Sequence, residues 1–488
     1  MLSHRRVKIV ATIGPATNKK EQLTQCIQSG MNVARLNFSH GTHEDHFSVI
    51  ERLRECITEL EAPVTILQDL QGPKIRVGHF ENDGLHLEKG NEVVVSPDFE
   101  IGKGNEIPTD FKELPGVCTI GTKILLDDGL IELKVLRIDG SKVLCEVIFG
   151  GLLKNRKGMN IPGASLPIAC MTDKDHEDLE FGLSNNVDYV ALSFVRTGND
   201  IKELRKLINN KESKTKIIAK IEMSEAIDNL DEIVELSDAV MVARGDLAVE
   251  VGQTRLPFLQ KQIINLCNDL GKPVITATQM LDSMVDNPRP TRAEITDVAN
   301  AVLDGSDALM LSAESASGNF PFACIHTMGE IISEVEKTND YYHLDLEKEF
   351  LTVADSIAAS ACLTALKLNA SAIICLTTSG KTATMISAYR PKAQIIAVTH
   401  LDGTLNQLAL TWGIQTFNID HYTSSSEAMK RIEELLLTYG LVKNGDNIVF
   451  TLGLPVSAGA KTNSLRVISI DNPKVKKLPK EKLPLRCR

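Results

Sequence analysis

The sequence predicts an α/β protein built on a (β/α)8 TIM barrel, with one domain inserted into the barrel and another after it. Short runs rich in β-branched residues alternate with stretches of helical periodicity, and eight such strands can be counted, three before residue 70 and five after residue 170. A (β/α)8 barrel requires eight, whereas an open doubly wound sheet more often has about five to seven strands. The length of 488 residues fits about three domains of roughly 150 residues.

The predicted barrel occupies residues 1–71 and 170–340. Its strands are expected at Val7–Thr12, Asn32–Asn37, Val64–Asp69, Asp188–Phe194, Lys216–Glu222, Ala239–Arg244, Pro273–Thr278 and Asp307–Ser312. Its helices are expected at Lys20–Gln28, Glu44–Leu60, Asp175–Ser184, Asp200–Ile208, Ala226–Leu236, Pro257–Leu270, Arg292–Leu303 and Pro321–Glu336.

The segment 72–169 interrupts this alternation. It is rich in Val, Ile and Leu alternating with polar residues, and turn signals such as Asn82-Asp83-Gly84 and Asp127-Asp128-Gly129 divide it. We expect a small β-barrel here. An insertion after the third barrel strand lies at the mouth of the barrel, where it can act as a lid.

Residues 341–471 predict a smaller α/β domain. A helix is expected at Thr352–Leu368, and strand patterns follow at Ser371–Thr377, Gln394–Thr399, Gln415–Ile419, Asn447–Leu452 and Ser464–Ile470. The tail, residues 472–488, has seven basic residues and one acidic residue, so we expect it to be extended or disordered.

Composition excludes several classes of protein. The net charge of −11 and an aromatic content of 4% argue against nucleic acid as the main partner. The ten cysteines include no C-x-x-C pair, which indicates reduced thiols in a cytoplasmic protein. No signal peptide is recognisable, because Met1–Val10 has basic residues but no apolar h-region. The longest apolar stretch, Ile357–Leu376, contains Lys367 and Asn369 and is too polar to span a bilayer comfortably. We expect a soluble protein with no membrane partner.

Polar residues end most of the predicted barrel strands. In a barrel these ends converge on one rim, where barrel enzymes place their chemistry. Capping of the following helix would explain polar residues at the end of one strand, but hardly at the ends of seven strands together. The residues concerned are Arg35, Asn37, Ser39, His40, Asp69, Ser193, Lys220, Glu222, Arg244, Asp246, Thr278, Ser312 and Glu314.

The residue types at this rim suit phosphoryl transfer. Lys220 and Glu222 share one side of a strand, and Asp246 follows the next strand. Two carboxylates without Cys or His form a hard-oxygen site suited to Mg²⁺. Arg35, Lys220 and Arg244 would add positive charge for a transferring phosphoryl group.

Simpler interpretations remain open for single residues. Lys220 and Glu222 could form an ordinary ion pair, although burying one at a barrel mouth without a function is costly. The hydroxyls of Thr278 and Ser312 could carry a proton or merely cap the following turn.

The sequence resembles the pyruvate kinase family from about residue 5 to residue 470. The segments that carry the resemblance are Asn32-Val-Ala-Arg-Leu-Asn-Phe-Ser-His-Gly41, Ile218-Ala-Lys-Ile-Glu222, Met241-Val-Ala-Arg-Gly-Asp-Leu247, Ala277-Thr-Gln-Met-Leu281, Asn287-Pro-Arg-Pro-Thr-Arg-Ala-Glu294 and Asp297-Val-Ala-Asn-Ala-Val-Leu-Asp-Gly305. Long matches in the same order are more specific than any short motif.

The resemblance implies transfer of the phosphoryl group of phosphoenolpyruvate to ADP, giving pyruvate and ATP in glycolysis. Two alternatives on the same barrel are a metal-dependent pyruvate aldolase or lyase and a non-catalytic metabolite sensor. The aldolase would not need the inserted domain, and a sensor would be indicated by loss of residues such as Lys220 or Glu222, which are present.

The resemblance also assigns roles at the rim. Glu222 and Asp246 are expected to bind Mg²⁺, for which Mn²⁺ can substitute. Lys220 neutralises the phosphoryl and enolate oxygens, and Arg35 holds the phosphate. The remaining expected substrate-binding residues are Ser193, the backbone of Ala243, Arg244, Gly245 and Asp246, and Thr278, with Ser312 in a proton relay.

The nucleotide is expected at Asn37, His40 and Arg76, with Lys157 reaching from the inserted domain. Closure of that domain as a lid would exclude water, which favours transfer to ADP over hydrolysis.

One departure concerns a monovalent cation. Potassium-activated relatives place K⁺ near the positions of Asn37, Ser39 and Asp69 and read Asp-Thr-Lys-Gly-Pro-Glu where this chain reads Asp69-Leu-Gln-Gly-Pro-Lys74. The Lys74 ammonium is expected to replace K⁺, as in the potassium-independent branch of the family, unless it points to solvent. K⁺ would then not be required.

In the C-terminal domain, a loop rich in hydroxyl groups lies between a strand and a helix. It consists of Thr377, Thr378, Ser379, Gly380, Lys381 and Thr382. Such a loop can simply cap the helix, but its amides and hydroxyls can also cradle a phosphate. The resemblance implies a phosphorylated allosteric effector here, with Leu452–Asn463 closing over it, and a homotetramer.

Overall fold

The structure of the chain is a computed structural model. It describes residues 5–164, 166–338, 342, 352–420, 422, 424–455 and 461–487. The predicted boundary between the barrel and the C-terminal domain, at residues 340 and 341, lies outside these ranges.

The first part of the chain forms three strands and two helices in alternation, close to the predicted positions. They are β1 (Lys8–Ile13), α1 (Lys20–Ser29), β2 (Val33–Asn37), α2 (His43–Leu60) and β3 (Thr65–Asp69). Helix α2 begins after Thr42, whose hydroxyl accepts a hydrogen bond from the amide of Asp45 in a capping box.

The inserted segment is all-β apart from one short helix. Its elements are β4 (His79–Phe80), β5 (Gly84–Leu87), β6 (Glu92–Ser96), β7 (Ile101–Gly102), β8 (Glu106–Pro108), α3 (Leu114–Val117), β9 (Lys123–Leu126), β10 (Ile131–Asp139), β11 (Lys142–Phe149), β12 (Gly151–Lys154) and β13 (Met159–Asn160). Six strands pair in the order β13-β9-β10-β11-β6-β8. Bridges of Arg76 to Gly158 and of Val77 to Thr109 connect the two ends of this sheet and curl it around its own core.

The chain then returns to the barrel. The elements are α4 (Asp173–Ser184), β14 (Tyr189–Leu192), α5 (Gly198–Asn210), β15 (Lys216–Ile221), α6 (Ser224–Asp228), α7 (Leu230–Leu236), β16 (Ala239–Ala243), α8 (Arg244–Val251), α9 (Leu256–Asp269), β17 (Val274–Ala277), α10 (Arg292–Leu303), β18 (Ala308–Leu311), α11 (Ala313–Ala316) and α12 (Pro321–Val335). The single helix predicted at Ala226–Leu236 is divided at Asn229, whose side-chain amide donates to the carbonyl of Arg196 at 3.1 Å.

The eight parallel strands close into a barrel in the order β1-β18-β17-β16-β15-β14-β3-β2, which confirms the predicted fold class. Nearly every residue of these strands is buried, because helices cover the outside and side chains fill the interior.

The C-terminal domain is the predicted α/β domain. Its elements are α13 (Val353–Lys367), β19 (Ala372–Leu376), α14 (Lys381–Ala388), β20 (Gln394–Thr399), α15 (Asp402–Leu408), β21 (Ile414–Asn418), α16 (Ser425–Tyr439), β22 (Asn447–Leu452) and β23 (Ser464–Ser469). They form one sheet in the order β21-β20-β19-β22-β23, in which only β23 is antiparallel.

This domain closes the bottom of the barrel. Leu410, which follows α15, is fully buried and belongs to the same apolar cluster as the interior residues Met241 and Met310. Nearby, the Arg390 guanidinium donates to both carboxylate oxygens of Asp307, each at 3.0 Å.

The tail differs from the expectation of an extended or disordered segment. It contains two 3-10 turns, Lys480–Lys482 and Leu485–Cys487, and Leu483 is buried. Leucines spaced between the basic residues let the tail pack on the folded domains.

No described helix combines the length and the apolar character that crossing a bilayer requires.

Candidate active site at the barrel mouth

The ends of β3, β14 and β15 bring three predicted residues into contact around the Lys220 ammonium. Its Nζ lies 2.9 Å from Glu222 Oε1 and 3.2 Å from Asp69 Oδ1. It also donates a hydrogen bond to Ser193 Oγ at 2.6 Å. Burial lowers the pKa of Lys220, but the charges of Asp69 and Glu222 outweigh that effect and raise it above its ordinary value. Lys220 is therefore a fixed positive charge at the mouth.

Arg35, at the end of β2, shares Asp69 with Lys220. Its Nε donates to Asp69 Oδ2 at 2.6 Å, and its Nη1 donates to Thr12 Oγ1 at 2.9 Å. Burial of Asp69 raises the pKa of its carboxyl, but Lys220 and Arg35 together lower it below the usual value. One buried carboxylate thus orients two cations at the barrel mouth.

Glu222 lies at the end of β15 and is almost completely buried. Its Oε2 accepts a hydrogen bond from the amide of Phe194 at 2.8 Å. Burial raises the pKa of Glu222, and the nearby charge of Asp246 raises it further against the effect of Lys220. A bound cation beside Glu222 would offset this effect of the Asp246 charge.

The donor set fits Mg²⁺. No group of three or more acidic, His or Cys side chains suited to a metal occurs among the described residues. A pair of carboxylates is sufficient for Mg²⁺, which is usually held by one or two carboxylates together with substrate oxygens and water.

Helix α8 places Asp246 and the backbone amide of Gly245 at the mouth. The amide of Gly245 donates to Thr278 Oγ1 at 2.8 Å, and that hydroxyl donates to the carbonyl of Ala277 at 2.6 Å. Thr278 has a φ of +70°, which is a strained backbone conformation for a β-branched residue. The hydroxyl of Thr278 is thereby held directly over the start of α8.

The side chain of Arg244 lies elsewhere than the sequence interpretation placed it. We expected a third cation beside Arg35 and Lys220, but its guanidinium is engaged with both oxygens of Asp297, each at 2.8 Å. It also donates to the carbonyl of Thr278 at 2.7 Å. Arg244 is the first residue of α8, and its side chain leaves the helix toward Asp297 of α10 rather than toward Lys220. Sequence reasoning missed Asp297, whose only signal was its place in a family segment.

Glu314 ties the end of β18 to the segment after Thr278. Its carboxylate accepts hydrogen bonds from the amides of Ser312 at 2.7 Å and Leu281 at 3.2 Å. Burial raises the pKa of Glu314. Ser312 lies beside this buried carboxylate, at the rim where the sequence placed it.

Two family models match this chain. The family model described as pyruvate kinase, barrel domain, matches residues 4–325, and the model described as pyruvate kinase, alpha/beta domain, matches residues 355–468. The chain belongs to the pyruvate kinase family.

Individual relatives show how far the similarity extends. The chain is 44% identical over 471 residues to the pyruvate kinase of Geobacillus stearothermophilus, covering 95% of this chain and 80% of the relative. A pyruvate kinase of Staphylococcus aureus is 44% identical over 468 residues with the same coverage. The crystal structure of a pyruvate kinase from Cryptosporidium parvum matches with a TM-score of 0.92 and 37% identity, covering 96% of this chain and 97% of that one.

Lys74 is the residue expected from the sequence to take the place of K⁺. Its Nζ lies 3.4 Å from Asp246 Oδ1 and 3.9 Å from Asp128 Oδ1 of the inserted domain, and its side chain is 26% exposed. Lys74 therefore faces the carboxylates of the mouth, which does not fit a side chain directed to solvent. Asn37 accepts a hydrogen bond from the amide of Ser39 at 3.1 Å.

The predicted nucleotide residues lie on the rim and on the inserted domain. His40 is exposed in the loop after β2. Arg76 and Lys157 lie on neighbouring chain segments, since the amide of Val77 donates to the carbonyl of Lys157 at 2.9 Å. The Lys157 ammonium pairs with Asp127 at 2.7 Å.

The inserted domain contacts the barrel beside α8. The side-chain amide of Asn160 donates to Glu250 Oε1 at 3.2 Å. Since Asp246 lies in the first turn of the same helix, the inserted domain is linked to the helix that carries Asp246.

The hydroxyl-rich loop of the C-terminal domain lines a cavity of about 640 Å³. Gly380 adopts a φ of +80°, and its amide donates to Thr377 Oγ1 at 3.0 Å. Thr382 shares a hydrogen bond with Thr462 on the opposite wall. Lys461 also lines this cavity, while residues 456–460 of the expected covering loop lie outside the described residues.

Proposed function

We propose that this chain is a Mg²⁺-dependent pyruvate kinase that transfers the phosphoryl group of phosphoenolpyruvate to ADP. The observation that carries the proposal is the arrangement of Lys220 and Arg35 around Asp69, next to the Glu222 and Asp246 carboxylates. Two fixed cations and a site for a divalent cation meet where charge moves during phosphoryl transfer.

Arg35 and Lys220 would bind the phosphoryl group, with Ser193 orienting Lys220. When bound, Mg²⁺ on Glu222 and Asp246 supplies positive charge to substrate oxygens, and Mn²⁺ can take its place. The phosphorus–oxygen bond to the enol oxygen breaks, and a β-phosphate oxygen of ADP forms the new bond to phosphorus. Lys220 stays charged throughout, because its neighbours hold its pKa above the usual value.

The other product is an enolate, which takes a proton at its methylene carbon to become pyruvate. The start of α8, from Ala243 to Asp246, offers amides to the substrate carboxylate. The hydroxyl of Thr278 accepts a hydrogen bond from the amide of Gly245. When the substrate carboxylate takes that amide, the hydroxyl would be released toward the methylene carbon. Ser312, beside the buried Glu314, would extend the proton path.

ADP would bind between the rim and the inserted domain. Asn37 and His40 would contact it from the barrel, and Arg76 and Lys157 from the insert. The contact of Asn160 with Glu250 supports a lid that closes on this side of the mouth.

The position of Lys74 supports membership of the potassium-independent branch. Its ammonium would supply, beside Asp246, the positive charge that K⁺ supplies near Asn37, Ser39 and Asp69 in other members. We therefore propose that activity does not require K⁺.

Regulation and assembly follow the family pattern in this proposal. The cavity beside residues 377–382 would bind a phosphorylated effector. Exposed apolar side chains on α9 and α10, Phe258 and Leu303, support association of the barrels in a cytoplasmic homotetramer.

The proposal is tested by pyruvate and ATP formation from phosphoenolpyruvate, ADP and Mg²⁺, first without K⁺ and then with KCl balanced by a large organic cation. Equal, high turnover in both is expected. Turnover that occurs only with KCl would refute the role of Lys74 and would leave the pyruvate kinase activity in place. No turnover in either buffer, with sugar phosphates and AMP tested as effectors, would refute the proposed function and favour a metabolite sensor.

A further inference from the structure

Helix α4 begins where the chain returns from the inserted domain, and its first turns hold the loops that follow β2 and β3. Lys174 Nζ donates to the carbonyl of Phe38 at 2.9 Å. Asp175 Oδ1 accepts a hydrogen bond from the amide of Gly72 at 3.0 Å. Neither residue contacts the groups assigned to phosphoenolpyruvate, so the chemistry described above leaves them without a role.

Asp178 connects this helix to the loop after β2. Its carboxylate is almost fully buried, with Oδ2 at 2.5 Å from Lys174 Nζ and Oδ1 at 2.7 Å from His43 Nε2. A buried carboxylate is tolerated only when it is paired and hydrogen-bonded. Both of its partners hold the loop, Lys174 through the Phe38 carbonyl and His43 as the first residue of α2.

Ring stacking holds the same loop from its sides. The Phe38 ring stacks on His46 at a centroid distance of 4.0 Å, and the His43 ring stacks on Phe181 of α4 at 4.5 Å. The amide of Phe38 donates to the carbonyl of Asp69 at 3.0 Å. Both peptide groups of Phe38 are therefore fixed, one by β3 and one by α4.

The neighbours of Phe38 are Asn37 and Ser39, and His40 follows them. We propose that Lys174 and Asp178 are positioning residues for ADP, which hold this loop in the conformation that receives the nucleotide. The inference rests on the proposed function. Because Arg35 and Lys220 are oriented separately by Asp69, the effect should fall on ADP and spare phosphoenolpyruvate.

The variant Lys174→Met tests the inference in the full chain. It keeps the length of the aliphatic stem and loses the hydrogen bonds to Phe38 and Asp178. The side chain is 51% exposed and Asp178 keeps its contact with His43, so the substitution should not unfold the protein. We expect the KM for ADP to rise about tenfold, as for loss of a charge-assisted hydrogen bond, while kcat and the KM for phosphoenolpyruvate stay within about twofold.

Two comparisons separate positioning from general stability. Lys174→Arg keeps the positive charge and should restore most of the affinity for ADP. Lys206→Met removes an exposed lysine of α5 and should change nothing. If Lys174→Met does not fold, His43→Phe takes its place. This variant keeps an aromatic ring on Phe181 but loses the hydrogen bond to Asp178, so the KM for ADP should rise about threefold.

An unchanged KM for ADP in Lys174→Met would overturn the inference. So would an equal rise of both KM values together with a lower melting temperature, because that is the result of a merely structural residue. If the wild-type chain forms no ATP, the proposed function fails. The inference is then decided by calorimetric titration with MgADP, which measures the dissociation constants of wild type and Lys174→Met. Equal dissociation constants would then contradict it.

Discussion

Arg35 Nε lies 2.6 Å from Asp69 Oδ2, while Lys220 approaches the other oxygen of the same carboxylate at 3.2 Å. The two cations that meet a phosphate in the proposed reaction are therefore positioned by one buried anion. Preorganised charge of this kind needs no reorientation when charge develops on the substrate.

Replacing this anion should loosen both cations. Asp69→Asn keeps the shape but removes the charge shared by Arg35 and Lys220, and a small misplacement of a catalytic group costs up to about 100-fold in rate. We expect kcat/KM for phosphoenolpyruvate to fall about 10- to 100-fold in steady-state assays. A variant with wild-type kinetics would show that Arg35 and Lys220 are held without Asp69.

Lys74 should decide the monovalent-cation requirement. In Lys74→Glu a carboxylate replaces the ammonium near Asp246, so the mouth gains negative charge that a bound K⁺ could neutralise. Turnover without K⁺ should fall at least about tenfold and recover on adding KCl at constant ionic strength. Lys74→Met, which adds no carboxylate, serves as the control and should recover less. Full K⁺-free turnover of Lys74→Glu would contradict the assignment.

Arg244 should act on catalysis through the backbone. Its guanidinium, held by Asp297, donates to the carbonyl of Thr278, which has a strained backbone. Asp297→Ala should lower kcat about tenfold through a displaced Thr278 hydroxyl, with a smaller change in the KM for phosphoenolpyruvate. Glu330→Ala, which removes an exposed carboxylate of α12, is the control. An unaltered kcat in Asp297→Ala would rule out this route.

Lys8 should make stability depend on pH. Its ammonium is buried at the bottom of the barrel and donates to the carbonyl of Ile414 at 2.7 Å. Burial, reinforced by Arg5 and Arg6, lowers its pKa to about 7. The unfolded chain, with a lysine pKa of about 10.4, binds more protons than the folded chain between these values, so stability rises with pH in that window.

This dependence is measured as the melting temperature at pH 7, 8 and 9. As the pH rises, the melting temperature of wild type should increase relative to that of Lys8→Met. The corresponding gain in the free energy of unfolding is at most about 1.4 kcal/mol per pH unit. Parallel curves for the two proteins would mean that Lys8 does not titrate in this range.

The barrel could be predicted because each of its units is local. A β-branched run and the helix after it leave a periodic pattern, and helix Arg292–Leu303 was predicted with the bounds observed. The rim residues followed from the rule that the strand ends meet on one face. The rule predicts that Lys220, Glu222 and Asp69 share one end of the barrel, and the structure brings them into contact there.

Contacts between distant segments could not be predicted. Arg244 and Asp297 lie 53 residues apart, and nothing in the sequence pairs them. At the break, Asn229 donates a hydrogen bond to the distant carbonyl of Arg196. Leu483 of the tail is buried only because the folded domains cover it. The bonds of Lys174 and Asp178 to the loop after β2 likewise appear only when α4 is placed beside it.

The most direct test of the proposed mechanism compares Lys220→Ala with wild type in ATP formation from phosphoenolpyruvate and MgADP. Circular dichroism verifies the fold, and Lys206→Ala is the matched control. A positioned charge at a reacting oxygen is worth at least about 100- to 1,000-fold in rate, so Lys220→Ala should lose that much turnover while remaining folded. A folded Lys220→Ala that kept near wild-type turnover would contradict the proposed role of the barrel mouth.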